Sequence, residues 1–420
     1  MIMNLLIGKS TRLRFILVVA GIWIIISHFP SQAYAQQFEF TGSRKKQVID
    51  FIRVKNLIII PIYIEDKGPY NFLLDTGVAQ MVITDTTFLS TLKYKRFQNI
   101  KIQGYGIDKE VDAILTRDLD ARVGKAIIKN IPTAIFKEDI FDLSSYLGIK
   151  IYGILGYYFF NSFVVRINYT RNKITLYSPE TKVKMKGTKI PIRINNAKPY
   201  LSAEMHIPNQ RDTTVELLID NGSSHPLMME SLHDDSFPLP TVTIPANLGV
   251  GLNGAIVGSM GRISTMKIED LSFENILSGF PEFNSERSTM EGKTRNGSVG
   301  AEILKHFLVT FDYKNNALYL KKNTNHQYKY EHDMSGIEMY VKQTPYERFF
   351  ISRIEPGSPA EIAGLKVNDE IIVLNFKDVR NYTLDGLTEL FREDDGKKIL
   401  IEVIHHKERF VTILKLKRRI

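Results

Sequence analysis

The stretch Tyr70-Asn71-Phe72-Leu73-Leu74-Asp75-Thr76-Gly77 returns in altered form as Val215-Glu216-Leu217-Leu218-Ile219-Asp220-Asn221-Gly222. Each copy is an apolar run of strand type that ends on Asp-x-Gly. The likeness continues downstream. Asp75 is followed by Gly153-Ile154-Leu155-Gly156, and Asp220 by Gly297-Ser298-Val299-Gly300, at intervals that differ by a single position. The register then holds without a gap. Phe163-Val164-Val165-Arg166-Ile167-Asn168-Tyr169 stands as far beyond Gly153 as Phe307-Leu308-Val309-Thr310-Phe311-Asp312-Tyr313 stands beyond Gly297. Ile174 and Leu176 align with Leu318 and Leu320 in the same register. So many ordered features at one spacing mark an internal repeat, which decides the architecture before any motif is weighed.

Both copies read mainly as strands. Residues 57–64 are apolar and β-branched, and glycines and short turns punctuate the rest. Helical signal is confined to short stretches, 157–161 and 301–306, each just after a Gly-x-x-Gly. The junction between the copies falls near residues 180–187. From about residue 323 the character changes. Residues 323–333 are polar, and the remainder reads strand, strand, short helix, strand, helix, strand, strand.

The 420 residues carry 44% apolar and 24% charged side chains, the balance of an ordinary globular chain. There is no cysteine, so disulfides, thiolate metal sites and a cysteine nucleophile are excluded. Net charge is +9, of which Lys9, Arg12 and Arg14 supply three, and the other basic residues are mixed with 46 acids. That mixture does not point to nucleic acid. Residues 1–35 have the pattern of an export signal: a basic start, an apolar run over 15–26, and Ala33-Tyr34-Ala35 before Gln36. The run is shorter than the ~20 residues of a spanning helix. The protein is therefore expected to be exported, to a periplasm or beyond the cell. The alternative is a retained membrane anchor over residues 15–27.

Asp-Thr-Gly alone is a weak signal. Two copies, each ending a buried strand and each followed by a supporting Gly-x-x-Gly, resemble the aspartic proteases, specifically the bacterial retropepsin-like group. The resemblance covers roughly residues 45–325. It implies a mainly β chain with two tandem acid-protease-like lobes, 36–182 and 183–327, forming one cleft. The pseudo-dimer would be intramolecular and the protein a monomer. It also implies that Asp75 and Asp220 are catalytic and that Thr76, Gly77, Asn221 and Gly222 support them. Two carboxylates ~3 Å apart share one proton, and the pair activates a water that attacks a peptide bond without a covalent intermediate. Neither a metal nor another cofactor is called for, and the substrate would be a polypeptide.

Two residues depart from the family pattern. Asn221 stands where a Thr or Ser hydroxyl braces the turns; it cannot brace in the same geometry, although its amide offers a donor and an acceptor for a substitute bond. Val78 follows Gly77, whereas Ser223 follows Gly222, and a hydroxyl there can stabilise an ionised carboxylate. A cleft that binds peptides without cleaving them is the rival reading. Gly104-Tyr105-Gly106 is placed as a flap, and Gly104 stands as far beyond Asp75 as Gly249 stands beyond Asp220. His225 is read as a surface or packing residue. The Gly249-x-Gly251-x-x-Gly254 string is set aside as a phosphate loop because no helix follows it.

Phe350-Ile351-Ser352-Arg353-Ile354-Glu355-Pro356-Gly357-Ser358-Pro359-Ala360, followed by Ala363-Gly364-Leu365 and Asp369-Glu370-Ile371, resembles a bacterial PDZ domain. The domain is expected over 328–420 as an α+β module. Residues 384–392 would be its groove helix, 399–404 and 410–416 its closing strands, and 336–339 its carboxylate-binding loop. The resemblance implies an extended peptide, or a protein C-terminus, added to a sheet edge. Glu338 would repel a carboxylate there.

Overall fold

The computed structural model describes residues 36–91, 96–102, 110–140, 142–207, 211–233, 235–251, 254–282, 295–323, 330–343 and 346–420. The expected export signal lies outside them, as do Gly104, Tyr105 and Gly106. Among the described residues, no helix is long and apolar enough to cross a membrane.

Leu57–Ile64 buries side chains of both faces, as its continuous β-branched run requires. It pairs antiparallel with Lys67–Leu74, which pairs parallel with Gly153–Leu155. The path continues through Met81–Ile83, Ala126–Phe136 and Val111–Val123. It returns to the first strand through Tyr63↔Arg122 and Ile64↔Ala121. Six strands thus close a ring. The second copy closes the same ring in the same order: Lys198–Met205, Thr213–Asp220, Gly297–Gly300, Leu227–Met229, Leu271–Pro281 and Gly254–Ile268. Its closing pairs are Glu204↔Lys267 and Met205↔Met266. Closure leaves the ring strands without a free edge.

The aligned Phe163 and Phe307 segments are neighbours in space. A six-stranded sheet runs Thr188–Pro191, Ala317–Lys322, Phe307–Asp312, Val164–Asn168, Lys173–Tyr177, Lys46–Asp50. Three strands come from each copy, and they meet at Val165↔Phe311 and Ile167↔Val309. Helix Tyr157–Ser162 lays Phe159 and Phe160 beneath this sheet, where Phe160 meets the Phe311 ring edge-on at 5.0 Å. One apolar core runs through both copies. Each such buried ring contributes roughly 1.5–3 kcal/mol.

The C-terminal part has its own core. Its strands stand in the order Ile337–Lys342, Arg348–Ile354, Glu370–Leu374, Lys398–His405, Glu408–Lys415. The short strand Lys377–Asp378, which the sequence reading did not include, pairs with Glu370–Leu374. Ser358 caps helix Pro359–Ile362 by accepting from Glu361 N–H, with Pro359 at the first helical position, which is the local reason for Gly-Ser-Pro-Ala. Thr383 caps helix Leu384–Phe391 in the same way through Gly386 N–H. At the Asn375-Phe376 turn both residues have positive φ, 47° and 63°.

Candidate active site

Asp75 and Asp220 stand at the ends of equivalent strands, and the two turns are bonded to each other across the pseudo-two-fold axis. In each turn the glycine N–H donates to the preceding aspartate: Gly77 N–H to Asp75 Oδ1 at 2.6 Å and Gly222 N–H to Asp220 Oδ1 at 3.0 Å. Both glycines are required by crowding. A Cβ on Gly222 would lie 2.2 Å from Asp75 Cγ. One on Gly77 would lie 3.1 Å from Asp75 Oδ1 and 3.3 Å from Asp220 Oδ1. The two carboxyl groups therefore share one small space.

The Gly-x-x-Gly strands hold the turns from behind, as the sequence implied. Asp75 N–H donates to Leu155 O at 2.9 Å, and Tyr157 N–H to Val78 O at 2.9 Å. In the second copy, Gly300 N–H donates to Pro226 O and Ala301 N–H to Ser223 O. A Cβ at Gly156 would meet Val78 O at 2.0 Å, and one at Gly300 would meet His225 O at 1.9 Å. Ser298, which breaks the apolar pattern, is still buried between Leu218 and Met228.

Asn221 does more than the sequence reading allowed it. Thr76 Oγ1 donates to Ile219 O at 2.6 Å and accepts from Asn221 N–H at 3.1 Å. Asn221 Nδ2 donates to Leu74 O at 2.8 Å, and its Oδ1 accepts from Thr76 N–H at 2.8 Å. The two residues thus bond the same pair of groups on opposite turns, the carbonyl before the aspartate and the amide after it. A hydroxyl does both with one atom and the amide with two. Both side chains are fully buried, so all four bonds are made away from water. The Asp220 carboxylate is held by Gly222 N–H rather than by the Ser223 hydroxyl that the sequence offered for it.

Burial raises Asp75 well above the usual carboxylate range, and the adjacent Asp220 charge and hydrogen bond raise it further. The Gly77 N–H and the Lys198 charge act in the opposite direction without cancelling this. Asp75 therefore keeps its proton to a higher pH than a free aspartate does.

Of the glycine-rich segments, Thr243–Gly251 and Gly254–Ile268 form a hairpin that reaches Gly251↔Gly254. The segment after Gly254 is a strand, so the set-aside phosphate loop is a hairpin tip. His225 is half-buried and lies 2.5 Å through Nε2 from Leu248 O, tying the Asp220 loop to that hairpin.

With this geometry in place, two segments match known families. Residues 60–159 match the aspartyl protease family and residues 329–404 the PDZ domain. The chain joins an aspartyl-protease-like domain to a PDZ domain. A stretch of 61 residues is 46% identical to the Inactivation-no-after-potential D protein of Drosophila melanogaster, covering 14% of this chain and 9% of that protein. Over 60 residues the chain is 35% identical to the 26S proteasome non-ATPase regulatory subunit 9 of Homo sapiens, covering 14% of this chain and 27% of that protein. The chain thus spans well under a third of these relatives' own length. Among solved structures, the aspartic proteinase from Irpex lacteus aligns with a TM-score of 0.41 at 10% identity, over 66% of this chain and 98% of that one.

The PDZ domain is tied to both lobes by residues that sequence reasoning missed. Glu302, a charged residue inside the buried helix Ala301–Leu304, bonds Asn56 Nδ2 at 2.5 Å, Lys305 Nζ at 2.6 Å and Arg392 Nη1 at 3.4 Å. Asn56 comes from the first lobe and Arg392 from the PDZ domain. Desolvation pushes the Glu302 carboxyl up, but Lys305 and Arg392 overbalance it and hold the carboxyl below its ordinary value. Lys55 N–H donates to Asp385 Oδ1 at 2.5 Å, and Asn247 Nδ2 to Glu338 Oε2 at 2.8 Å. A charged residue in an otherwise apolar four-residue helix was the only hint in the sequence.

Proposed function

We propose that this protein is an aspartic endopeptidase. The observation that carries the reading is the mutual bracing of the Asp75 and Asp220 turns, with the two carboxyl groups brought into hydrogen-bond contact. A binding cleft has no need to hold two like charges together in a half-buried space. The ionised carboxylate takes a proton from water as the water oxygen attacks the scissile carbonyl carbon. The protonated carboxyl donates to the carbonyl oxygen as the tetrahedral species forms. Collapse breaks the C–N bond, and the departing nitrogen takes a proton from the dyad. Thr76 and Asn221 act as positioning residues. The raised Asp75 supports activity at mildly acidic to neutral pH over strongly acidic pH, because its carboxyl gives up its proton at a higher pH than a free aspartate does.

The PDZ domain would present a polypeptide to this cleft by strand addition. Residues 1–35 would direct export and be removed before Gln36, which N-terminal sequencing of the exported protein tests.

The decisive experiment is peptide-pool cleavage by the chain from Gln36 across pH 3–8, beside Asp75→Asn and Asp220→Asn. Cleavage by the parent and loss in both variants is expected. Cleavage that persists in either variant overturns the dyad. An inactive parent moves the function toward peptide binding alone, although the bonds made by Asn221 weigh against that outcome.

A further inference from the structure

Where the PDZ domain meets the two lobes there is a cavity of about 690 Å³. That is within the ~300–1,000 Å³ of ordinary ligand sites. One wall is the PDZ groove: residues 336–340 on one side, and Leu384, Asp385, Thr388, Glu389 and Arg392 on the other. Ile337–Lys342 is the edge strand of its sheet. Among the described residues, no backbone hydrogen bond from another segment reaches its outer edge. The opposite wall belongs to the lobes, with Asn56 and Tyr146 from the first, and His225 and Asn247 from the second.

Both ends of the groove are already filled by the chain itself. At one end Asp333 Oδ1 accepts from Ser335 N–H at 2.8 Å and Gly336 N–H at 2.9 Å, and from the Ser335 hydroxyl at 2.5 Å. Ser335 Oγ in turn accepts from Ile337 N–H at 3.0 Å. The Ser335, Gly336 and Ile337 amides in the cradle at this end are therefore already bonded within the chain. At the other end Gly148 is wedged between Val341 and Leu384, where an added Cβ would lie 2.9 Å from Leu384 Cδ1. Gln343 Nε2 donates to Gly148 O and pins it there. Between these ends the edge over residues 337–340, roughly 13 Å of strand, takes no backbone hydrogen bond from another segment among the described residues, while helix Leu143–Leu147 packs beside the same strand.

Charge decides what fits. Eight carboxylates and five Lys or Arg side chains line the cavity, and four of the carboxylates, Glu302, Glu331, Glu338 and Glu355, are already ion-paired. Asp385 and Glu389, one turn apart on the groove helix, have no ion-pair partner among the described residues, Asp385 accepting only the Lys55 backbone N–H, and like charges at that spacing repel.

We propose that this cavity binds an internal segment of an extended polypeptide, added as a strand along residues 337–340 and carrying a Lys or Arg side chain, and that it rejects a free C-terminal carboxylate. The inference rests on the reading of the PDZ domain as a peptide-binding module. It makes the lobes part of the binding site. The loop Ser224-His225-Pro226, which lines the cavity, leads directly from the Asp220 turn.

The test uses the chain from Gln36 carrying Asp75→Asn, to prevent cleavage, against an array of N-acetylated octapeptides. Each sequence is made with a C-terminal amide and with a free carboxylate. The expected result is binding enriched in Lys and Arg, with the amide at least as tight as the free acid. Asp333→Ala opens the cradle and should shift the ratio toward the free acid by about tenfold. Asp385→Asn with Glu389→Gln alters two side chains on the cavity wall and should weaken basic peptides up to about fivefold. It keeps the proposal testable if Asp333→Ala does not fold. A tenfold preference for free acids by the parent overturns the inference and leaves the peptide-binding reading intact. No binding of either form sinks both.

Discussion

In the first lobe the residue after the aspartate is Thr76; in the second it is Asn221. Their surroundings are otherwise matched strand for strand. Both close a ring of six strands in the same order, and both set a Gly-x-x-Gly strand parallel to the one bearing the aspartate. The turns nevertheless reach one pattern of cross-bonds with different atoms. Thr76 donates and accepts through a single oxygen, whereas Asn221 donates through nitrogen and accepts through oxygen. The comparison teaches that the interface specifies a donor and an acceptor aimed at two backbone groups. It does not specify a hydroxyl.

The sharpest way to break that comparison is Asn221→Ala. It leaves Thr76 N–H and Leu74 O unpaired in a buried interface, each costing about 1–3 kcal/mol. The expected loss is about 4 kcal/mol by denaturant unfolding, with peptide cleavage down more than tenfold. Asn221→Thr should recover both. If the alanine variant matches the parent, the four bonds do not hold the turns together.

Next in size is Glu302→Ala, which tests how the lobes differ in their hold on the PDZ domain. The first lobe uses Gly148 and the Lys55 amide; the second uses a buried carboxylate bonded by Lys305 and Arg392. Removing it takes the carboxylate from two partly buried cations, of which Lys305 keeps its bond to Asn56 Oδ1, and should cost about 3 kcal/mol. Glu302 is held below its ordinary value, so its contribution is present above the unfolded value near 4.5 and lost as pH falls below it. The difference between parent and variant should shrink accordingly in acid.

The dyad has the opposite sign. Asp75 is raised in the folded state, so an energetic penalty is present at neutral pH and is relieved as pH falls toward the unfolded value of 3.8. Asp75→Asn should therefore raise Tm by a few degrees at pH 7, and by progressively less toward pH 4. A lower Tm at pH 7 would show that the two carboxyl groups do not burden the fold. The smallest effect lies in the PDZ turn. Phe376 is 87% exposed with φ 63°, a left-handed conformation that favours glycine. Phe376→Gly should stabilise by about 1 kcal/mol, read from the denaturant midpoint.

The equivalence of the two lobes and the two facing turns were legible because the repeat fixes them. Once Asp75 and Asp220 end equivalent strands at one spacing, a two-fold arrangement follows. The helices after Gly156 and Gly300, and the groove helix of the PDZ domain, were legible for similar local reasons. The Asn221 bonds were not. An amide can aim its two groups in several directions, and only the opposite turn selects one. Gly148 was equally silent, because its meaning arises where residues 148, 341 and 384 converge. Asp333 read as part of a polar linker; its role depends on a loop that folds back over it.

The sheet shared by the lobes also sets an order of events for the folding chain. Between its two central strands, Val164–Asn168 and Phe307–Asp312, lies the whole ring of the second lobe. Until the second strand exists and has folded, the first lobe carries a bare strand edge on a finished ring. Pairings so distant are slow to form. That edge can be satisfied by the second lobe or, in a crowded mixture of incomplete chains, by the same strand of a neighbour. The covalent link between the lobes holds the correct partner close and so favours it over that competing encounter.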